Sequence, residues 1–233
     1  MLLDGWILRF ADGYTKRANS VSVLYEGDRS LAEKIETCQQ IYTQQNLPLI
    51  FRLSPLAPIE LDDKLAELEF TPFDFTSTQI KDLSQFEQVA IEHLKIDSDY
   101  SKWLKFFAQI CEISIAEQQR LTKILASIVP TKAFAILWKD NEPIAGGLAV
   151  LEGKDVGLFE IETQKNYRRQ GHGRSILLGL LSWAKQQGAT TTYLQVTTDN
   201  QPALKLYKKL GFTELYQYFY RIRSGSSLLE ELL

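Results

Sequence analysis

The chain has 233 residues, 45% of them hydrophobic and 24% charged, and Lys+Arg 26 against Asp+Glu 29 leaves a formal net charge of −3. A chain this long buries roughly 70% or more of its unfolded surface, so neither disulfides nor a structural metal is needed to hold a core. The mildly acidic balance excludes broad duplex binding, which requires clustered Lys and Arg that displace counterions. Cys38 and Cys111 lie far apart in apolar helical patterns, with no CxxC spacing, and read as buried structural thiols.

Met1 to Leu8 carries no basic segment ahead of an apolar run, and the longest apolar stretch, Ile176 to Trp183, falls far short of the ~20 residues of a membrane span. The expectation is a soluble cytoplasmic protein without nucleic acid or membrane among its partners. Along the chain, Asp12-Gly13 punctuates two runs rich in aromatic and β-branched residues between Gly5 and Leu24, which predicts a hairpin. Leu31, Ile35, Cys38 and Ile41 recur at helical spacing behind Ser30, Leu49–Leu53 reads as a buried strand, Ile59–Leu68 as a short helix, and Phe70–Thr78 as extended. The polar stretch Asp82–Asp99 is the best candidate boundary.

Two helices follow, Ser101–Glu112 and Ile115–Ile128, the second ended by the Pro130 region. Then Ala133–Trp138, Ile144–Val150 and Val156–Thr163 predict a three-stranded meander. A basic glycine-rich loop, Arg168–Arg174, opens a helix over Ser175–Gln187, and a strand (Thr190–Val196), a helix (Asn200–Leu210) and a strand (Phe212–Ile222) close the chain. Helix, strand, helix and Phe over Trp183–Phe212 are echoed over Tyr42–Phe70. The echo is either a duplicated fold with a shortened first copy or an unrelated α/β module.

Arg168-x-x-Gly171-x-Gly173 between a strand and a helix lets backbone N–H groups approach a phosphate at the positive end of the helix, with Arg168, Arg169 and Arg174 adding charge. Alone, such a turn is as often a structural connection, and its spacing is neither GxxxxGK[ST] nor GxGxxG. Around it, however, four motifs fall in order between Ala133 and Arg221: the loop itself, an acidic strand and Tyr167 before it, the strand Tyr193-Leu-Gln-Val196, and Asp199-Asn200-x-x-Ala203-x-x-x-Tyr207-x-x-x-Gly211-Phe212. In these the chain resembles the GCN5-related N-acetyltransferase (GNAT) superfamily.

The resemblance implies an α/β GNAT fold with a mixed, mostly antiparallel central sheet flanked by helices, preceded by a smaller, degenerate GNAT-like α/β half. The corresponding division is 1–85, a catalytic domain over 86–223 and a tail over 224–233. It implies acetyl-CoA as co-substrate, no metal, and direct transfer to a small-molecule or peptide amine. Arg168, Arg169, Gln170, Gly171, His172, Gly173 and Arg174 would hold the pyrophosphate, while Ile161, Glu162 and Thr163 line the pantetheine arm. Tyr207 would protonate the departing thiolate, or simply pack on the sheet. Asn200 is a helix cap or a coenzyme contact, and His172 a coenzyme contact or solvent-facing filler. Where many relatives that acetylate protein N-termini carry Glu, the chain has Gln195, an amide that cannot act as base. Glu160 and Glu162, two apart in a strand, are therefore the candidate bases, set against solvent.

The first half has Glu26 and Asp28 where a phosphate loop would lie, and Leu65 at the tyrosine position, which argues against a coenzyme there. The competing functions are an N-acetyltransferase acting on a small or a protein amine, as monomer or homodimer, and a non-catalytic acetyl-CoA sensor.

Overall fold

The computed structural model describes residues 1–223, so the expected tail over 224–233 lies outside the described residues. The elements in chain order are β1 (Leu2–Leu3), β2 (Trp6–Leu8), β3 (Val21–Val23), α1 (Leu31–Gln44), β4 (Ile50–Leu53), α2 (Ile59–Glu67), β5 (Phe70–Asp82), β6 (Leu94–Asp97), α3 (Ser101–Ile110), α4 (Ile115–Ser127), β7 (Thr131–Lys139), β8 (Glu142–Glu152), β9 (Asp155–Thr163), a 3-10 turn (Lys165–Tyr167), α5 (His172–Gln186), β10 (Thr191–Thr197), α6 (Gln201–Lys209) and β11 (Thr213–Arg223). No helix among the described residues is long and apolar enough to cross a membrane.

These elements form two compact units that interleave along the chain. The first holds residues 1–77 and 197–200 and the described residues from Leu215; the second holds 78–196 and 201–214. This partition differs in kind from consecutive segments, since β5 ends in the second unit and most of β11 lies in the first.

In the first unit a two-residue turn, Asp4-Gly5, joins β1 to β2 with φ of +43° and +87°, the left-handed pair that suits the twist of a tight hairpin. The Asp12-Gly13 pair, also at positive φ, lies instead within the longer connection from β2 to its antiparallel partner β3. Strand β3 runs parallel to β4, and β11 pairs antiparallel with β4. Helices α1 and α2 cover one face of these strands, packing Ile35, Cys38, Tyr42, Leu61 and Leu65 on Trp6, Val21, Phe51 and Leu53. Alternation along the strands sends Ser22, Arg52, Tyr218 and Tyr220 to the other face.

The second unit runs β5-β10-β9-β8-β7-β6; β6–β7, β7–β8 and β8–β9 pair antiparallel, and β9 and β10, joined through α5, pair parallel. Strand β6 sits in the stretch expected as a boundary; its half-exposed to exposed residues give no apolar alternation to find it by. Ile176, Leu177, Leu180 and Ala184 of α5 pack on Ala145, Ala149, Val156, Leu158 and Leu194. A Cβ at Gly146 would stand 2.6 Å from the Phe106 ring of α3, and one at Gly147 2.6 Å from Ile161 and 2.8 Å from Ile176. The adjacent glycines thus let α3 and α5 press on opposite faces of β8. Meander, helix, strand, helix, strand is the order in both halves of the chain: β1-β2-β3-α1-β4-α2-β5 and β7-β8-β9-α5-β10-α6-β11.

Candidate active site

Two irregularities in β9 shape the site. Its parallel pairing with β10 runs from Asp155↔Thr191 to Leu158↔Leu194 and stops there, although β9 continues to Thr163. Over Glu162 and Thr163 the strand pairs only with β8, at Gly146 and Ala145, so its other edge is open to a ligand. The second irregularity is a bulge: Leu148 faces Phe159 and Gly146 faces Glu162, leaving Glu160 and Ile161 against Gly147, with Glu160 at φ +49°. Strict alternation would have put Glu160 and Glu162 on the face of Val156 and Leu158, which pack under α5. After the bulge Ile161 takes that face, and Glu162 pairs with Gly146, whose open side meets α3.

Beyond β9, the backbone of Gln164 donates to the Ile144 carbonyl at 2.9 Å and its side chain to the Pro143 carbonyl at 2.6 Å. The 3-10 turn is held by the Tyr167 hydroxyl, which donates to Glu142 at 2.9 Å, an interaction that raises the phenol pKa. Arg169 then takes φ +63° and Gly171 φ +89°, and α5 begins at His172 with no side chain capping it. Its first amides therefore lack side-chain acceptors and sit at the positive end of the helix dipole. Arg168, Arg169 and Arg174 are exposed around them, and Gln170 donates to the Asn166 carbonyl at 3.2 Å. A Cβ at Gly173 would lie 3.7 Å from both Thr163 Oγ1 and Leu206, which brings the end of β9, the start of α5 and α6 together.

The titratable groups gather at the open end of β9. Desolvation raises the Glu162 carboxyl above its ordinary value, while Arg168, 4.0 Å away, opposes the shift. Arg168 also donates through Nε to the Thr163 carbonyl at 3.1 Å. The Tyr207 phenol is buried and pushed up to about 12, first by burial and then by Glu162. Among the described residues its hydroxyl has no hydrogen-bond partner, and its ring packs edge-on to Phe212 with centroids 5.9 Å apart. Cys111, capping α3, is held at about 12 by burial, then by Glu162 and Glu160. That thiol is a neutral neighbour of both carboxylates.

Ile161, Glu162, Thr163, the loop 168–174 and Tyr207 thus come together within one unit. Asn200 directly precedes α6 and donates its backbone N–H to the Thr197 carbonyl at 3.1 Å, both residues lying in the other unit. His172 is half-buried, with Nε2 occluded and without a hydrogen-bond partner, and desolvation lowers the imidazole pKa. Sequence reasoning missed Cys111 as a neighbour of the carboxylates, and the tether at Gln164, for which no motif signals. Gln195, by alternation with buried Leu194 and Val196, shares the face of Tyr193 rather than that of α5.

A family model described as "Probable histone acetyltransferase Rv0428c C-terminal" matches residues 1–221, nearly the whole chain. The chain belongs to this GNAT acetyltransferase family. A Bacillus subtilis (strain 168) protein named uncharacterized N-acetyltransferase YobR is 30% identical over 227 residues, 94% of this chain and 90% of its own. The [ribosomal protein bS18]-alanine N-acetyltransferase of Escherichia coli (strain K12) is 40% identical over 57 residues, 24% of this chain and 38% of that enzyme. In fold, this N-acetyltransferase is similar to a GCN5-related N-acetyltransferase from Kribbella flavida, with TM-score 0.64, 16% identity, and coverage of 99% of this chain and 91% of that one. It is also similar to a tandem GNAT protein from the clavulanic acid biosynthesis pathway, with TM-score 0.66, 11% identity, and coverage of 89% and 76%. Family membership implies acetyl-CoA use and an amine acceptor.

Proposed function

We propose that this N-acetyltransferase moves the acetyl group of acetyl-CoA to a primary amine by direct attack in a ternary complex. The observation that carries the reading is the parting of β9 from β10 beyond Leu158 and Leu194, directly ahead of the uncapped start of α5. In this reading the amides and side chains of 168–174 hold the pyrophosphate and the open edge of Ile161–Thr163 takes the pantetheine arm. An ammonium acceptor loses one proton to Glu162 or Glu160 and its nitrogen attacks the thioester carbon. As the carbon–sulfur bond breaks the sulfur leaves as a thiol on receiving the Tyr207 proton, and the second proton shed by the nitrogen as it becomes an amide restores the Tyr207 phenol. Burial keeps the phenol protonated at neutral pH, so the proton is in place when the sulfur leaves.

The test is thiol release from acetyl-CoA across a panel of amines. Tyr207→Phe should lower kcat by ~10²-fold or more with little change in acetyl-CoA affinity. Turnover at the wild-type rate would remove Tyr207 from the mechanism. A protein or peptide amine is the second reading, favoured by the description of the matching family as a probable histone acetyltransferase and by the similarity to the bS18-alanine enzyme. Peptides beginning with Ala, peptides with internal Lys, and free polyamines in the same panel separate the two.

A further inference from the structure

The first unit holds a group of cations that no part of the acetyl-transfer reading uses. On the sheet face turned away from α1 and α2, strand register sets Arg52 beside Ser22 on β3 and beside Tyr220 on β11. Arg9 reaches the same place from the end of β2, its Nη1 donating to Ser22 Oγ at 2.5 Å. Ser20 precedes Ser22 by one alternation, is fully buried, and leaves its hydroxyl without a partner. The Arg52 guanidinium lies 4.0 Å over the Tyr218 ring, and its Nε is buried with no acceptor.

Arg9 and Arg52, brought together through Ser22, repel each other, and an arginine keeps its charge at any physiological pH. Desolvation and Arg52 both push the Arg9 pKa down. Among the described residues neither Arg9 nor Arg52 has a carboxylate partner. Asp74, which follows the Phe73 that packs on Tyr220, is engaged by Lys16 at 2.7 Å. A half-buried guanidinium, an orphaned Nε and an orphaned hydroxyl are expensive to keep without an acceptor. Two fixed positive charges match a dianion better than a single carboxylate, and guanidinium forks suit the oxygens of a phosphate.

We propose that Arg9 and Arg52, with the hydroxyls of Ser20 and Ser22, form a second site in the first unit that binds the phosphate group of a small molecule. The Tyr218 ring holds the Arg52 plane in position, and Ser22 holds Arg9. The site is separate from the loop 168–174 and does not depend on the coenzyme reading.

Calorimetric titration of the full chain with inorganic phosphate, at constant ionic strength, tests the assignment. In Gly171→Glu, which disables the loop at α5 where phosphate would also bind, saturable binding of one phosphate per chain is expected. Arg9→Gln and Arg52→Gln should each weaken it by about tenfold or more, the scale of a lost charge-assisted hydrogen bond. Ser20→Ala, which removes a hydroxyl that supports nothing else, should weaken it by a smaller factor with the fold intact, so the proposal stays testable if an arginine variant fails to fold. The assignment falls if phosphate gives no saturable signal, or if binding survives in the folded variants. It also falls if binding disappears in Gly171→Glu, or if acetate binds as tightly as phosphate.

Discussion

The starts of α1 and α5 occupy equivalent places in the two halves of the chain, each following the third strand of a meander, and they are finished in opposite ways. At α1 Ser30 and Glu33 form a full capping box, and just before it the Asp4 carboxylate accepts from the amides of Asp28 at 3.0 Å and Arg29 at 2.9 Å. Those bonds, Arg29 first, hold the Asp4 pKa below its usual value. A Cβ at Gly27 would collide with that carboxylate. The first half has thus built its own anion into the place where a helix start would receive one. At α5 no side chain caps the helix, the turn residues Arg169 and Gly171 are left-handed, and the surrounding charges are arginines. One helix start is closed by its own side chains and the other has none over its first amides.

The sharpest way to break the comparison is to separate the halves. If each copy were a self-sufficient domain, residues 1–85 would fold alone. In the structure β4 pairs with β11, whose residues from Leu215 belong to the first unit. Without β11 the edge of β4 would be left with unpaired backbone groups and the apolar face of Tyr218, Tyr220 and Ile222 would be missing. Residues 1–85 expressed alone should therefore show no cooperative thermal unfolding by circular dichroism. A sharp transition from that fragment would show the interleaving to be dispensable.

The next prediction sharpens the contrast between the open and the closed helix start. Calorimetry should find one coenzyme A per chain, since of the two helix starts compared, α1 carries its own acceptors and α5 does not; two equivalent sites would contradict the reading. Gly171 and Gly173 differ in why they are glycine. Gly171 sits at φ +89° with open space around its Cβ position, so Gly171→Ala should cost about 1–2 kcal/mol of backbone strain. At Gly173 a Cβ would make only ordinary contacts at 3.7 Å, so a side chain there fits the protein itself. Gly173→Glu should accordingly keep the melting temperature and reduce coenzyme affinity by about 100-fold or more, since it puts a carboxylate against the expected pyrophosphate. Unchanged affinity in a folded Gly173→Glu protein would remove the loop from coenzyme binding.

Much of this was legible because the signals are local. Ser30 with Glu33 marks the start of α1, the apolar spacing of Ile176, Leu177 and Leu180 gives α5, and Gly171 and Gly173 mark the turn. The parts that were not legible depend on partners distant in sequence. Asp12-Gly13 has the composition of a hairpin turn, yet the tight hairpin forms at Asp4-Gly5, where β1 and β2 can pair at once. The capping of Asp28 and Arg29 by Asp4 spans a strand hairpin and a long loop. A two-residue period cannot foresee the β9 bulge, which Gly147 allows by giving Ile161 room under α5.

The bulge carries the last prediction, whose effects are the smallest. It places Glu162, raised by desolvation, within electrostatic reach of both Tyr207 and Cys111. If Glu162 accepts the proton of the amine, it must be ionised to do so, and kcat/KM should rise as pH climbs through its raised pKa and level off above it. Glu162→Gln should remove that limb and recover part of its rate at high pH, where solvent deprotonates the amine. Cys111 reports on the same carboxylate independently of turnover. Its thiol is held at about 12 by burial first and by Glu162 and Glu160 second, so only the smaller part of the shift is lost in Glu162→Gln. Alkylation of Cys111 by iodoacetamide should therefore speed up only about a few-fold, because the thiolate fraction rises while burial still restrains it. Glu160→Gln, with its carboxylate exposed on the bulge, should give a weaker acceleration and leave the pH limb in place if Glu162 is the base. If the limb vanishes in Glu160→Gln and persists in Glu162→Gln, the roles are exchanged; if it persists in both, the amine reaches the site already deprotonated by solvent.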